Sequence, residues 1–186
     1  VIDINKSDPR RLTDNTVDDR NPSWSPDGKE IAFESWHRDR FGHSEICVVN
    51  SDGSDERNLT NSSAYESNPC WSPDGKKIAF QVITKGAGIC VMSSDGRDYN
   101  TVAGHSGRAR SWSPDSERLS YSYYESKHVP IHDSYRVRIE RTKSSICIVT
   151  PNGRNHKELT DSSSNNSNPS WLPPVITNTL PKQPAE

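Results

Sequence analysis

The sequence predicts an all-β protein, a β-propeller of four-stranded antiparallel blades. Three observations carry that expectation. One phrase recurs: Asn21-Pro22-Ser23-Trp24-Ser25-Pro26-Asp27-Gly28 returns as Asn68-Pro69-Cys70-Trp71-Ser72-Pro73-Asp74-Gly75. A worn copy is Ser111-Trp112-Ser113-Pro114-Asp115-Ser116, and a broken one is Asn168-Pro169-Ser170-Trp171-Leu172-Pro173-Pro174. The connectors keep a fixed length, with eleven positions from Thr13 to Trp24, Thr60 to Trp71 and Thr160 to Trp171. The segments between them alternate or run apolar over short stretches bounded by turn residues, and none has helical periodicity.

Within one repeat the pattern gives four strands. The first ends near Trp24. Ser25-Pro26-Asp27-Gly28 is a turn, with Pro where φ is preset and Gly where a left-handed conformation is needed. The second strand is Lys29 to Ser35, in which Ile31 and Phe33 alternate with Glu30, Ala32 and Glu34. The third is Glu45 to Asn50. Ser51-Asp52-Gly53 is a second hairpin signal. The fourth strand is Glu56 to Thr60. The Trp-to-Trp spacings of 47, 41 and 59 residues describe two ordinary blades and one with an insertion.

The chain of 186 residues has the length of one domain. It is 30% hydrophobic and 26% charged, with a mean hydropathy of -0.92. So few apolar residues suit several thin layers better than one large core. The net charge of -2 provides no basic field, which argues against nucleic acid as a partner. No stretch approaches the roughly 18 apolar residues of a membrane span. The chain begins at Val1 in mid-pattern, so it reads as processed or cut from something longer. Cys47, Cys90 and Cys147 occupy one repeat position, and equivalent residues in packed sheets lie about 10 Å apart, too far for a disulfide. They read as small buried apolar residues. Cys70 lies beside a Trp in another strand.

The phrases Trp-Ser-Pro-Asp-Gly-Lys-x-Ile-Ala-Phe, Ile-Cys-Val-Val/Met-x-x-Asp-Gly and Leu-Thr resemble the TolB-like, WD-repeat-like propeller family, over nearly the whole chain up to about Trp171. The resemblance implies a fold and leaves function open, since the family includes periplasmic TolB-type adaptors, gating domains of serine peptidases and secreted proteins. It implies an extracytoplasmic, periplasmic or secreted setting. Residues 1–13 are then half a blade, 14–60, 61–103 and 104–160 are blades, and 161–180 supply one or two closing strands. Residues 122–144 are an insert and 181–186 a tail or linker. Three complete blades with half-blades at both ends permit a four-bladed ring, part of a larger ring, or a ring completed between chains. Two departures from the repeat stand out. Ser116 replaces the turn Gly, which predicts a less regular third blade, and Leu172-Pro173-Pro174 replaces Ser-Pro-Asp.

Strand direction puts the short Asp-Gly turns on one face of the ring. The variable loops lie on the other, where binding residues usually sit. On that face the candidates are Trp36, His37, Arg38, Arg40, Tyr65, Arg108, Arg110, Tyr123, Tyr124, His128, His132 and Tyr135. Aromatics mixed with Arg suit a partner surface. The stretch Tyr135 to Arg141 also alternates as an extended solvated hairpin would, and this is the favoured reading of the insert. His128 and His132 have metal-like spacing only in a helix, which Pro130 opposes. Asp14, Asp18 and Asp19 carry oxygen ligands suited to Ca²⁺, but read better as a solvated loop. No metal, cofactor or catalytic residue is assigned. Asn61 and Asn165, and more weakly Asn58, are candidate glycosylation sites.

The favoured function is a non-catalytic protein–protein interaction or structural scaffold module. Its partner is another protein, or a second chain through the open blade seam. The alternatives are an accessory or gating propeller fragment of a larger secreted hydrolase, and a self-assembling filament or ring.

Overall fold

A computed structural model describes the backbone of residues 9–36, 42–83, 88–104, 107–130, 137–161 and 166–171. It describes their side chains except those of 107–110, 125–130 and 137–143. Three antiparallel sheets of four strands follow one another along the chain. Blade 1 holds β1 (Asp18–Trp24), β2 (Glu30–Trp36), β3 (Ser44–Asn50) and β4 (Arg57–Asn58). Blade 2 holds β5 (Glu66–Trp71), β6 (Lys77–Val82), β7 (Gly88–Ser93) and β8 (Asn100–Gly104). Blade 3 holds β9 (Gly107–Trp112), β10 (Leu119–Pro130), β11 (Val137–Val149) and β12 (Lys157–Glu158). Each sheet is ordered as its chain runs, so each is a meander. The first strands of neighbouring blades pack on one another, β1 on β5 and β5 on β9, and mark the inner edge. The sheets do not close into a ring among the described residues.

Both faces of a blade are covered, so the alternation in β2 does not separate core from solvent. Ile31, Phe33, Cys47 and Val49 form one face, against which Leu12 packs. Ala32, Ile46 and Val48 form the other and meet Trp71, Ile78, Phe80, Cys90 and Met92 of blade 2. Blade 2 turns Ala79, Ile89 and Val91 to Trp112, Leu119, Tyr121, Cys147 and Val149 of blade 3. This is how a chain with few apolar residues builds a core: the same handful recurs at each junction. The cysteines are free, with Cys47, Cys90 and Cys147 buried at that repeat position.

The recurrent phrase is a turn with a lock. Gly28 N donates to Ser25 O at 3.0 Å. Ser25 Oγ donates to Asp27 at 2.8 Å and accepts from Glu30 N at 2.9 Å, while Lys29 N donates to Asp27 at 3.1 Å. Ser72 with Asp74, and Ser113 with Asp115, repeat the arrangement. The Ser25 hydroxyl, then the Lys29 amide, hold the Asp27 carboxyl below its ordinary range.

Ser116 does not loosen the third turn. It takes the left-handed conformation at φ 62° and keeps the turn bond to Ser113 O at 2.9 Å. Its Oγ accepts from Asp74 N at 3.0 Å, tying the turns of blades 2 and 3 together. The Asn-Pro pair preceding the Trp is a β-bulge, between Arg20 and Ser23 in β1 and between Ser67 and Cys70 in β5. Asn21 and Asn68 sit there at φ 50° and 54°, a region Asn tolerates better than most residues.

The insert is an extended hairpin, with β10 paired to β11 from Leu119↔Val149 to Pro130↔Val137. The fourth strand is shorter than expected, two residues in blades 1 and 3. Of the expected N-terminal half-blade, residues 1–8 lie outside the described residues. Among the described residues no helix is long and apolar enough to cross a membrane.

Candidate functional site

The loop end of blades 1 and 2 gathers two of the predicted residues. Asp18 pairs with Trp36, and Ser44 forms a parallel bridge with Tyr65, so the start of β1, the end of β2 and the connector before β5 meet at one end. There the Trp36 and Tyr65 rings lie 6.1 Å apart, tilted by 59°. The Arg20 guanidinium sits 5.2 Å above the Trp36 ring, within cation–π range. Arg20 also pairs with Asp18 at 3.3 Å and stays half exposed.

Beneath these rings lie three buried carboxyls that the sequence reading did not single out. Glu34, Glu45 and Glu66 are 3%, 4% and 1% exposed. Glu34 accepts from Trp36 Nε1, from Asn21 Nδ2 at 2.8 Å and from the Asn68 amide at 3.4 Å. It therefore fixes the Trp36 ring and ties both bulge asparagines to one carboxylate. Glu45 faces His43 Nε2 at 3.6 Å and accepts from Asn58 Nδ2. Glu66 accepts from Ser62 Oγ at 2.8 Å, while its Oε2 has no hydrogen-bond partner among the described residues. Burial pushes the Glu66 carboxyl above its ordinary value; the Thr60 and Ser62 hydroxyls act the other way, and nearby Glu45 adds to the rise. The only sequence signal for Glu34 was its register with Ala32, on a face that turns out to be covered.

The other predicted positions fall elsewhere. Tyr123 and Tyr124 lie half-buried on β10, on opposite faces of the strand. Tyr123 lines a pocket of about 540 Å³ with Val102, Tyr121, Cys147 and His156. Blade 2 lies between this pocket and Trp36. Arg108 and Arg110 are on β9 and His128 is on β10, with side chains outside the described set. His37, Arg38, Arg40, His132, Tyr135 and Asn165 lie outside the described residues. Asn58 Oδ1 accepts from the Thr60 and Asn61 amides, both at 3.1 Å, so its side chain shapes the connector. Asn61 is exposed at φ 42°. Asp19 accepts from Ser35 at 2.9 Å and Asn15 at 3.0 Å. Among the described residues no His, Cys, Asp and Glu cluster has the arrangement of a metal site.

No curated protein matches the sequence significantly. Solved structures do match in shape. A protein assigned as TolB from Agrobacterium tumefaciens superposes with a TM-score of 0.66 at 23% identity, over 88% of this chain and 57% of that one. TolB from Acinetobacter baumannii gives 0.64 at 22% identity, over 87% of this chain and 37% of that one. An acylaminoacyl peptidase from Pyrococcus horikoshii gives 0.59 at 20% identity, over 80% and 26%. At these identities the likeness is one of fold, and the chain spans little more than half of the longest-matched TolB chain. The family model of the TolB beta propeller domain matches residues 1–175. With three such blades repeating one turn lock and one interface, the chain belongs to the TolB β-propeller family.

Proposed function

We propose that this chain is a non-catalytic interaction module, acting outside the cytoplasm, whose loop face engages a protein partner. The observation that supports this reading is the Arg20–Trp36–Tyr65 stack, held from below by buried Glu34. A half-exposed guanidinium over pre-oriented aromatic rings offers contact area at low ordering cost, the make-up of interface hot spots. Glu34 restricts the Trp36 ring before any partner arrives. Affinity capture from an extract of the source, comparing wild type with the Trp36→Ala, Tyr65→Ala double variant, tests it. A captured protein whose yield drops about tenfold or more supports the reading. Equal capture by both, with the fold intact by circular dichroism, rules the stack out.

A further inference from the structure

Toward the outer strands, the junction between blades 1 and 2 holds a pocket of about 510 Å³. Residues of the 59–64 connector form one wall, and Val82, Cys90, Tyr99 and Thr101 of blade 2 form another. Glu66, at the start of β5, lines it as well. Leu59 and Ala64 pack on the apolar cluster that contains Val82, so part of the wall is hydrocarbon. The Tyr99 ring stands edge-on to Phe80 at 5.4 Å and is 47% exposed.

Blade 1 shows how an acid at this repeat position is held. Asp19 and Glu66 each stand five residues before their Trp, Trp24 and Trp71. Both accept from a side chain four residues earlier: Asp19 from Asn15 Nδ2 at 3.0 Å, Glu66 from Ser62 Oγ at 2.8 Å. The other Asp19 oxygen accepts from Ser35 Oγ at 2.9 Å, directly across the β1–β2 pair. Across the β5–β6 pair the residue opposite Glu66 is Val82, whose side chain has no donor. Glu66 Oε2 is left without a hydrogen-bond partner among the described residues, and no lysine or arginine among them pairs with it. In blade 3 the position is Gly107, opposite Tyr123, and the acid is gone. The exchange of a serine for a valine thus leaves one carboxyl oxygen unsatisfied, on a side chain 1% exposed, beside a pocket.

An unpaired buried acceptor is costly, and more so when charged. What Glu66 lacks is a donor. Glu45 adds negative charge nearby, which favours a cationic one. Ser62 already occupies Oε1, so a guanidinium fork, which seeks both oxygens, fits less well than a single ammonium. One carboxylate supplies too few hard ligands for calcium or magnesium. The Thr101 hydroxyl lines the same pocket and can accept a second ammonium proton. We infer that this pocket binds an aliphatic primary ammonium group, its stem along Leu59, Ala64 and Val82 and its head donating to Glu66. Because Glu66 lies within the wall, its carboxyl swings toward the pocket as the head arrives. The new bond takes the place of the one that Ser35 gives Asp19.

Titration of the purified, nitrogen-labelled chain with n-butylammonium chloride tests this, followed by amide shifts in proton–nitrogen correlation NMR spectra. Sodium chloride at equal concentration controls for ionic strength. The expected result is saturable shifts at Ser62, Glu66 and Thr101, with a Kd of about 1 mM. n-Butanol, the same stem without the charge, binds at least about tenfold more weakly. Glu66→Gln keeps the shape, removes the charge and weakens butylammonium about tenfold or more. Val82→Thr places a hydroxyl where blade 1 has Ser35; it satisfies the orphan oxygen from within and weakens binding several-fold. Nα-acetyl-lysine amide identifies the source of the group. Binding like that of butylammonium assigns the pocket to a lysine side chain of a polypeptide, and butylammonium binding alone assigns it to a free amine. No saturable shift with butylammonium up to about 50 mM overturns the proposal. So does equal binding of n-butanol, or equal binding by the Glu66→Gln chain. If Glu66→Gln fails to fold, unchanged affinity in Val82→Thr overturns it instead.

Discussion

Trp112→Ala and Trp24→Ala change the same repeat position and are expected to differ by about 3 kcal/mol. Trp112 is almost fully buried between blades 2 and 3. Truncating it removes about 200 Å² of buried surface, which at about 25 cal/mol/Å² amounts to about 5 kcal/mol. Buried Trp→Ala changes cost about 3–5 kcal/mol, and the bond from Nε1 to Cys70 O goes as well. Trp24 buries about half its surface, and the groove it lines with Ile31 and Phe33 already opens to solvent, so no closed cavity forms. Its loss is expected to cost about 1–2 kcal/mol. Urea unfolding followed by far-ultraviolet circular dichroism, at a concentration where the chain is monomeric, measures both. In Trp112→Ala the transition is expected to split, because the core shared by blades 2 and 3 is built around that indole. Equal losses for the two variants would refute the reading that Trp24 stands half exposed while Trp112 is sealed between blades.

Four further outcomes follow from particular contacts. Trp71 buries its indole with no partner for Nε1 among the described residues, unlike Trp112, so Trp112→Phe should cost about 1 kcal/mol more than Trp71→Phe in the same urea assay. Glu34→Ala leaves Asn21, the Asn68 amide and Trp36 Nε1 without their acceptor; a loss of about 3 kcal/mol is expected by thermal unfolding, and one below about 1 kcal/mol contradicts the network. Ser116→Gly relieves the left-handed conformation but loses the bond from Asp74 N, so it should be near neutral, while Ser116→Ala keeps the strain and costs about 1 kcal/mol. Glu66 has its carboxyl pKa raised by burial, so the folded state binds its proton more tightly than the unfolded chain does. Its contribution is therefore full below the ordinary value of 4.5 and lost as pH rises through the raised one. Stability against pH should decline there in wild type and flatten in Glu66→Gln, and parallel curves would contradict the burial of that acid.

The fold was legible because its punctuation is local. Pro26, Asp27 and Gly28 announce a turn by their own backbone preferences, and repetition at Pro73–Gly75 removes the doubt that one copy would leave. The bulge at Asn21-Pro22 was not legible, since left-handed Asn is a tolerated state rather than a demanded one. Glu34 was not singled out, for a different reason. Alternation separates two faces of a strand, but only the arrangement of sheets decides whether the second face meets water, and here it meets blade 2. Trp36 and Tyr65 could be placed on the loop face by strand direction alone. Arg20 could not, because its partner Trp36 is sixteen residues away and the two meet only through the pairing of β1 with β2. The regularity of the third turn depends on Ser116 reaching Asp74, a contact between blades that no single repeat contains.

Three of the four free thiols make the chain its own opening gauge. Cys47, Cys90 and Cys147 sit at equivalent depths in successive junctions. Burial, reinforced by Glu56 and Glu45, pushes the Cys47 thiol up to about 12, and burial raises Cys147 too. All three sulfurs are buried, so none of them meets a labelling reagent unless its junction first parts. Cys47 lies on the front face of blade 1, against which Leu12 packs among the described residues, and Cys90 lies between the sheets of blades 1 and 2. Mass spectrometry of chains labelled for increasing times therefore reads the breathing of each junction separately, with Cys47 modified first and Cys90 later. No probe has to be introduced, and a partner that clamps one junction would show itself by slowing one cysteine alone.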